Sequence, residues 1–188
     1  GLPLENRGKL YNVAAAYSDG ELLGLVPKSY IPNYSEFYEA RHFTAAPEGL
    51  SYESWQEEDA VPFGTNQLFT CRSIPELKVA VEICEDLWTP NPPSVRHAMH
   101  GATVIVNLSA SDEITGKDSY RRDLVKLQSG RLVCGYIYAS AGEGESSTDL
   151  VFGGHHLIAE NGSVLAESER FTNETIYGDL DIERLVGE

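Results

Sequence analysis

Apolar residues in this chain fall into short runs divided by turn residues, and the runs change character twice. At the front, "GLPL" reads as the end of a strand followed by a loop, and Leu10–Tyr17 reads as a strand. Ser18-Asp19-Gly20 is a turn signal, so "ELLGLVP" (21–27) is predicted to return as the second strand of a hairpin. The aromatic-rich stretch "KSYIPNYSEFYEARHF" (28–43) holds no single period and carries Pro32, which predicts a loop, and residues 45–62 are polar and turn-rich. Strand character resumes in "CRSIPELKVAVEIC" (71–84), with Ser73–Glu76 as a hairpin turn.

The middle of the chain has longer periods. "PNPPSVRHAMHG" (90–101) opens on prolines and stops at a glycine, the signature of a helix. "ATVIVNLSA" (102–110) and "VCGYIYASA" (133–141) are continuous apolar runs of the kind buried on both faces. Between them, Tyr120, Leu124 and Leu127 fall at helical spacing, which predicts a helix over 118–131. Strand, helix, strand, helix, strand predicts neighbouring strands of an α/β sheet. The tail reverts to hairpins: "HHLIAENGSVLAES" (155–168) turns about Asn161-Gly162, and "ETIYGDLD" (174–181) is predicted to be a last strand.

Composition narrows the function classes. The 188 residues allow one domain with a substantial core. Acidic residues outnumber basic ones 29 to 14, and no basic stripe occurs, which argues against a nucleic-acid partner. No apolar run reaches the ~20 residues of a membrane span. Three cysteines at wide spacing fit neither a disulfide framework nor paired zinc ligands, and the N-x-S/T triplets at Asn33, Asn107, Asn161 and Asn173 read as chance matches. A cytoplasmic setting is the expectation. No phosphate-binding glycine loop is present. His97 with His100, and His155 with His156 in a strand, have no acidic or thiol partner at ligand spacing, so no metal is assigned. The acidic loop 142–149 could hold an ion or be merely polar.

Candidate chemistry gathers at two strand ends. Cys84 closes the strand Lys78–Ile83, where ligands bind in open α/β sheets, yet a thiol after an apolar run is also an ordinary core residue. Glu82, Glu85 and Asp86 flank it, and carboxylates blunt a thiol unless a cation offsets them. Lys28, directly after "LLGLVP", could be that cation or a solvated side chain. Glu36 and Glu39 stand among Tyr34, Phe37 and Tyr38, either as carboxylates of raised pKa or as an exposed acidic turn. Cys134 lies at the amino end of its strand and reads as core; Cys71 reads as structural or exposed.

"LGLVPKSYIPNYSEFYEARHF" with "VAVEICEDLW" resembles the nitrilase superfamily, whose members use Glu, Lys and Cys. "PNYSEFYEARHF", "EICEDLW", "NLSASDEITGKDSYRR" and "YASAGEGESSTDLVFGG", in that order, resemble the glutaminase domain of glutamine-dependent NAD synthetases. The resemblance implies an α/β fold, the nitrilase-like αββα sandwich, with L-glutamine as substrate. It makes Cys84 the nucleophile, Lys28 the stabiliser of tetrahedral intermediates and Glu39 a supporting carboxylate. Tyr34, Glu85, Ser111 and Lys117 would hold the amino-acid end of glutamine, Lys117 standing where many relatives have arginine. The Glu85 N–H would help bind the oxyanion. It further implies no cofactor in this domain, ATP and Mg in the synthetase domain that would use the ammonia, and a homo-oligomer.

The chain departs from that pattern in two respects. No residue matches the family's general-base glutamate, which stands on a strand well upstream of the lysine. The synthetase's Ser-Gly-Gly-x-Asp-Ser motif does not occur either. The expectation is therefore a single partial domain, short of its first βα units and inactive alone. Two alternatives stay open: another carbon-nitrogen amidase of the superfamily, or a catalytically dead assembly module.

Overall fold

A computed structural model describes residues 1–55, 58–145 and 149–188, without the side chains of residues 58 and 59. Part of the acidic loop 142–149, residues 146–148, lies outside the described residues. The described residues form two mixed sheets. The first has five strands in the order β1-β2-β3-β5-β4, and the second has six in the order β11-β10-β9-β8-β7-β6.

In the first sheet, β1 (Leu2–Asn6), β2 (Lys9–Ser18) and β3 (Glu21–Pro27) form an antiparallel meander. The Asp19-Gly20 turn is where the sequence placed it, with φ of 50° and 85°. The front of the chain differs from expectation. Leu2–Asn6 is a full strand, because Arg7 and Gly8 (φ 52° and 75°) make a second two-residue turn. Arginine at the first left-handed position hides that signal. Residues 45–62 also differ: β4 (Leu50–Trp55) and β5 (Glu58–Gly64) form a hairpin whose β5 adjoins β3 in parallel. Its outer strand alternates between exposed and half-buried residues, and β5 contains Pro62, so the strand signal is thin.

The second sheet carries the predicted alternation. β6 (Phe69–Thr70) turns into β7 (Lys78–Ile83), and then α1 (Pro93–Met99), β8 (Val104–Ser109), α2 (Lys117–Leu132) and β9 (Gly135–Ser140) follow. β7, β8 and β9 are parallel neighbours. β10 (Leu157–Glu160) and β11 (Ser163–Glu167) turn at Asn161-Gly162, as predicted. His155 and His156 precede β10 rather than lying in it, and His155 has an acidic partner, its Nε2 standing 2.8 Å from Glu167. Residues 174–181 do not form the predicted strand. They run extended to α3 (Ile182–Gly187), which Asp181 caps through the Arg184 N–H, while Leu180 packs against Gly135.

Burial explains the layers. Ala80, Ile105, Val125, Tyr136 and Leu157 form the core on the helix side of the second sheet. Ala14 and Val26 meet Val81 and Ile83 between the two sheets. Helix α2 buries an unexpected face: Arg121, Val125, Gln128 and Ser129 are inside, while Tyr120 and Leu127 are 60% and 67% exposed. Tertiary hydrogen bonding to Arg121 and Gln128 outweighs the apolar stripe in orienting the helix.

Candidate functional site

Strand β3 ends at Pro27, and Lys28 is then fixed twice by its backbone. Its N–H donates to the Asn12 carbonyl, and its own carbonyl accepts from the Ala46 N–H. Residues 29–45 are thus an excursion with its ends held together. Inside it, the loop returns Glu39 to Lys28, whose ammonium donates to both carboxylate oxygens at 2.9 and 2.8 Å. Lys28 is 1% exposed, so this charge has little water to compete for it.

Across the sandwich, β7 delivers Cys84 to the start of a 3-10 turn, Cys84–Trp88. Cys84 has φ 46°, a left-handed conformation uncommon outside glycine and asparagine. The Asn107 Oδ1 on β8 accepts the Cys84 N–H at 3.0 Å and also the Ser109 hydroxyl at 2.7 Å. Burial pushes the thiol pKa up. The Lys28 charge, the Ala110 N–H and Ser109 pull it down, and Glu39 opposes them. Burial dominates, so the thiol stays protonated near neutrality.

The three acids around the thiol separate in space. Strand alternation turns Glu82 to the helix side, where it accepts from the Ser94 N–H at 2.9 Å and from the Tyr136 hydroxyl. Burial raises its pKa. Asp86 is buried beneath the turn and accepts three backbone N–H groups, from Ile83, Ser29 and Tyr30. Burial pushes it up to about 7 against the pull of those donors. Glu85 alone faces the pocket, bonded to the Tyr34 hydroxyl at 3.0 Å, with burial raising its pKa.

A pocket of about 160 Å³ opens beside the thiol, with Cys84, Tyr34, Glu85, Ser111 and Lys117 among its lining residues. Five of the seven residues that the family resemblance assigned therefore share one cavity, which Glu36 also lines, and Lys28 and Glu39 stand near the thiol as charges. Lys117 pairs with Asp112 and lies 5.7 Å from the Phe37 ring centre and 5.3 Å from that of Trp88. Ser111 is held by the buried Arg121, which also bonds Glu113, the Asp112 carbonyl and His155. The pocket thus carries the carboxylates of Glu85, Glu36 and Asp112 and the ammonium of Lys117, which pairs with Asp112, around Cys84. That arrangement suits a small zwitterion bearing an electrophilic carbon.

Sequence reasoning missed Asn107, Asp112 and the buried side of Arg121. A polar residue inside the apolar run "VIVNLS" was the available signal for Asn107, since a buried amide needs partners. Arg121 left no signal, because arginine on a helix usually faces water.

Comparison with known proteins fits this geometry. The sequence profile of the carbon-nitrogen hydrolase family matches residues 1–186. A glutamine-dependent NAD(+) synthetase of Mycobacterium bovis is 45% identical over all of this chain, which covers 28% of that protein. The crystal structure of such a synthetase from Cytophaga hutchinsonii superposes with a TM-score of 0.78 at 31% identity, over 90% of this chain and 27% of that one. A carbon-nitrogen hydrolase from Helicobacter pylori G27 shares the fold, with a TM-score of 0.73 at 18% identity, over 98% of this chain and 61% of that one. The chain therefore spans a little over a quarter of the length of the synthetases it matches. No helix among the described residues is long and apolar enough to cross a membrane. On the match along nearly its whole length, the chain belongs to the carbon-nitrogen hydrolase family.

Proposed function

We propose that this chain is the glutamine-hydrolysing part of a glutamine-dependent NAD synthetase. The observation that carries this reading is the placement of Cys84, on a left-handed turn with Lys28 nearby, in a pocket that Glu85 and Lys117 also line. The 45% identity to a synthetase of that description supports it.

In this reading Glu85 and Tyr34 receive the α-ammonium of L-glutamine, while Ser111 and Lys117 receive its α-carboxylate. The Cys84 sulfur, once deprotonated, attacks the side-chain amide carbon, and the carbonyl electron pair moves onto oxygen. The Lys28 ammonium and the Glu85 N–H stabilise that oxyanion, the latter in the first turn of a 3-10 helix, where N–H groups have no intrahelical acceptor. Collapse expels the nitrogen, which leaves as ammonia after gaining a proton, and a glutamyl thioester remains. Water then attacks the thioester, releasing glutamate and returning the thiol. Glu39 holds Lys28 in position. The ammonia would serve the ATP-dependent amidation of nicotinic acid adenine dinucleotide.

The thiol needs a base. Among the described residues, the hydrogen bonds acting on it come from Ser109 and the Ala110 N–H, not from a carboxylate. General-base catalysis contributes roughly 10²–10⁴ in rate, so the 188-residue chain alone should release ammonia slower than a parent enzyme by about that factor. Ammonia release from L-glutamine is the assay. Turnover by the isolated chain equal to the parent's would remove the need for a further carboxylate. Release that survives Cys84→Ala would sink the reading itself.

A further inference from the structure

The two groups assigned to the reaction come from different sheets. Lys28 extends the first sheet beyond β3, and Cys84 follows β7 of the second. Between the sheets lie Ala14, Val26, Val81 and Ile83. Apolar packing of this kind is non-directional and does not by itself fix how far one sheet slides on the other. The spacing of ammonium and thiol therefore needs a directional link.

The structure supplies one at Asp86. Its Oδ1 accepts the Tyr30 N–H at 2.8 Å and the Ser29 N–H at 3.1 Å, the two residues that follow Lys28. Its Oδ2 accepts the Ile83 N–H at 2.9 Å, from the residue before Cys84. Ser29 and Tyr30 lie outside any strand, so these N–H groups have no ladder partner to replace the carboxylate. Asp86 itself is buried and does not line the pocket.

We propose that Asp86 is a positioning residue, whose carboxylate ties the Lys28 segment to the Cys84 turn and so sets the distance between ammonium and thiol. The idea rests on the reading of Cys84 and Lys28 as a reacting pair. Asparagine is the informative replacement. It keeps the shape but puts an NH2 where one oxygen accepted, so one of the two segments must face a donor with a donor.

The test follows alkylation of Cys84 by iodoacetamide in the 188-residue chain, peptide by peptide so that Cys71 and Cys134 are scored apart, across pH 6–10. Lys28→Met should slow Cys84 at neutral pH by about tenfold, equivalent to one unit of thiol pKa. Asp86→Asn should slow it by a similar factor in the wild-type background and by less than about twofold when Lys28 is already Met, the non-additivity of groups acting through one another. A merely structural role for Asp86 predicts equal slowing or quickening in both backgrounds, and that outcome overturns the proposal. So does an Asp86→Asn profile that superposes on wild type while Lys28→Met shifts. If Lys28→Met itself changes nothing, the reacting pair falls, and the positioning role with it. Should Asp86→Asn fail to fold, amide hydrogen exchange in the wild-type chain decides. The Ser29 and Tyr30 protons should exchange as slowly as those of β7, and exchange at loop rates would overturn the proposal.

Discussion

Two cysteines sit at opposite ends of the parallel strands of the second sheet and show what strand direction does to a thiol. Cys84 follows the carboxyl end of β7, and Cys134 precedes the amino end of β9. Burial raises the pKa of both. At Cys134 nothing opposes it: the Glu82 carboxylate adds to the effect, and the thiol is pushed up to about 12. Its backbone is tied to Ser129 and Asn161, and its side chain is fully enclosed in the helix-side core. At Cys84 the Lys28 ammonium, Ser109 and the Ala110 N–H pull the other way against burial and Glu39, and the residue, on a left-handed turn, lines a pocket. Desolvation is common to the two thiols. What differs is the charge and the pocket, which reach the thiol at the strand end where loops converge.

The most severe way to break this contrast is to exchange the two roles by deletion. Cys84→Ala in the parent enzyme should lower glutamine-dependent ammonia release by more than about 10³-fold, as expected for loss of a nucleophile. Cys134→Ala should leave turnover within about twofold and instead cost on the order of 1 kcal/mol in denaturant unfolding. Next in size is the pocket wall beside Cys84, where the proposed function places the α-carboxylate of L-glutamine. Under that proposal, Lys117→Ala should raise KM for L-glutamine about tenfold or more with a smaller change in kcat, because a carboxylate contact made in ground and transition state alike would be lost. Steady-state kinetics checks it, and a kcat effect larger than the KM effect would place Lys117 in the chemical step instead.

The smallest effect concerns Glu82, the acid that lies against Cys134 electrostatically but not against the pocket. Burial holds its folded-state pKa above the ordinary carboxylate value. A raised acid contributes its stability fully below the unfolded-state pKa and loses it as pH rises through the folded one. Glu82→Gln cannot ionise, so its melting temperature should gain on wild type as pH increases from 5 to 8.5, a range chosen to span roughly the ordinary carboxylate and thiol values. The same variant should lower the Cys134 pKa and leave Cys84 alkylation unchanged. A melting difference that stays flat with pH would show that Glu82 keeps its ordinary titration.

What could be read from sequence follows the strength of the local signal. The parallel core was legible because Val104–Ser109 and Gly135–Ser140 are mostly apolar, Asn107 being the internal exception, and their helices carry proline and glycine punctuation. β4 and β5 were not, since a half-exposed hairpin with a proline offers no clean alternation. The face of α2 was partly misread for a related reason: Leu124 packs against the core, but Arg121 and Gln128 find partners inside and leave Tyr120 and Leu127 toward solvent. The pocket residues Tyr34, Glu85, Ser111 and Lys117 were named by resemblance to a family, not by spacing.

By itself the sequence determined the strand ends that bear Lys28 and Cys84, because turn residues and apolar runs are short-range signals that survive without the rest of the molecule. Only the tertiary structure decided that these ends meet. It put Glu82 behind the strand, Asp86 beneath the turn and Glu85 alone in the pocket, so three neighbouring acids have three different surroundings. Hydrogen bonds across the two sheets join residues more than fifty positions apart, such as Tyr30 to Asp86 and Tyr34 to Glu85, and no local pattern encodes a partner at that distance.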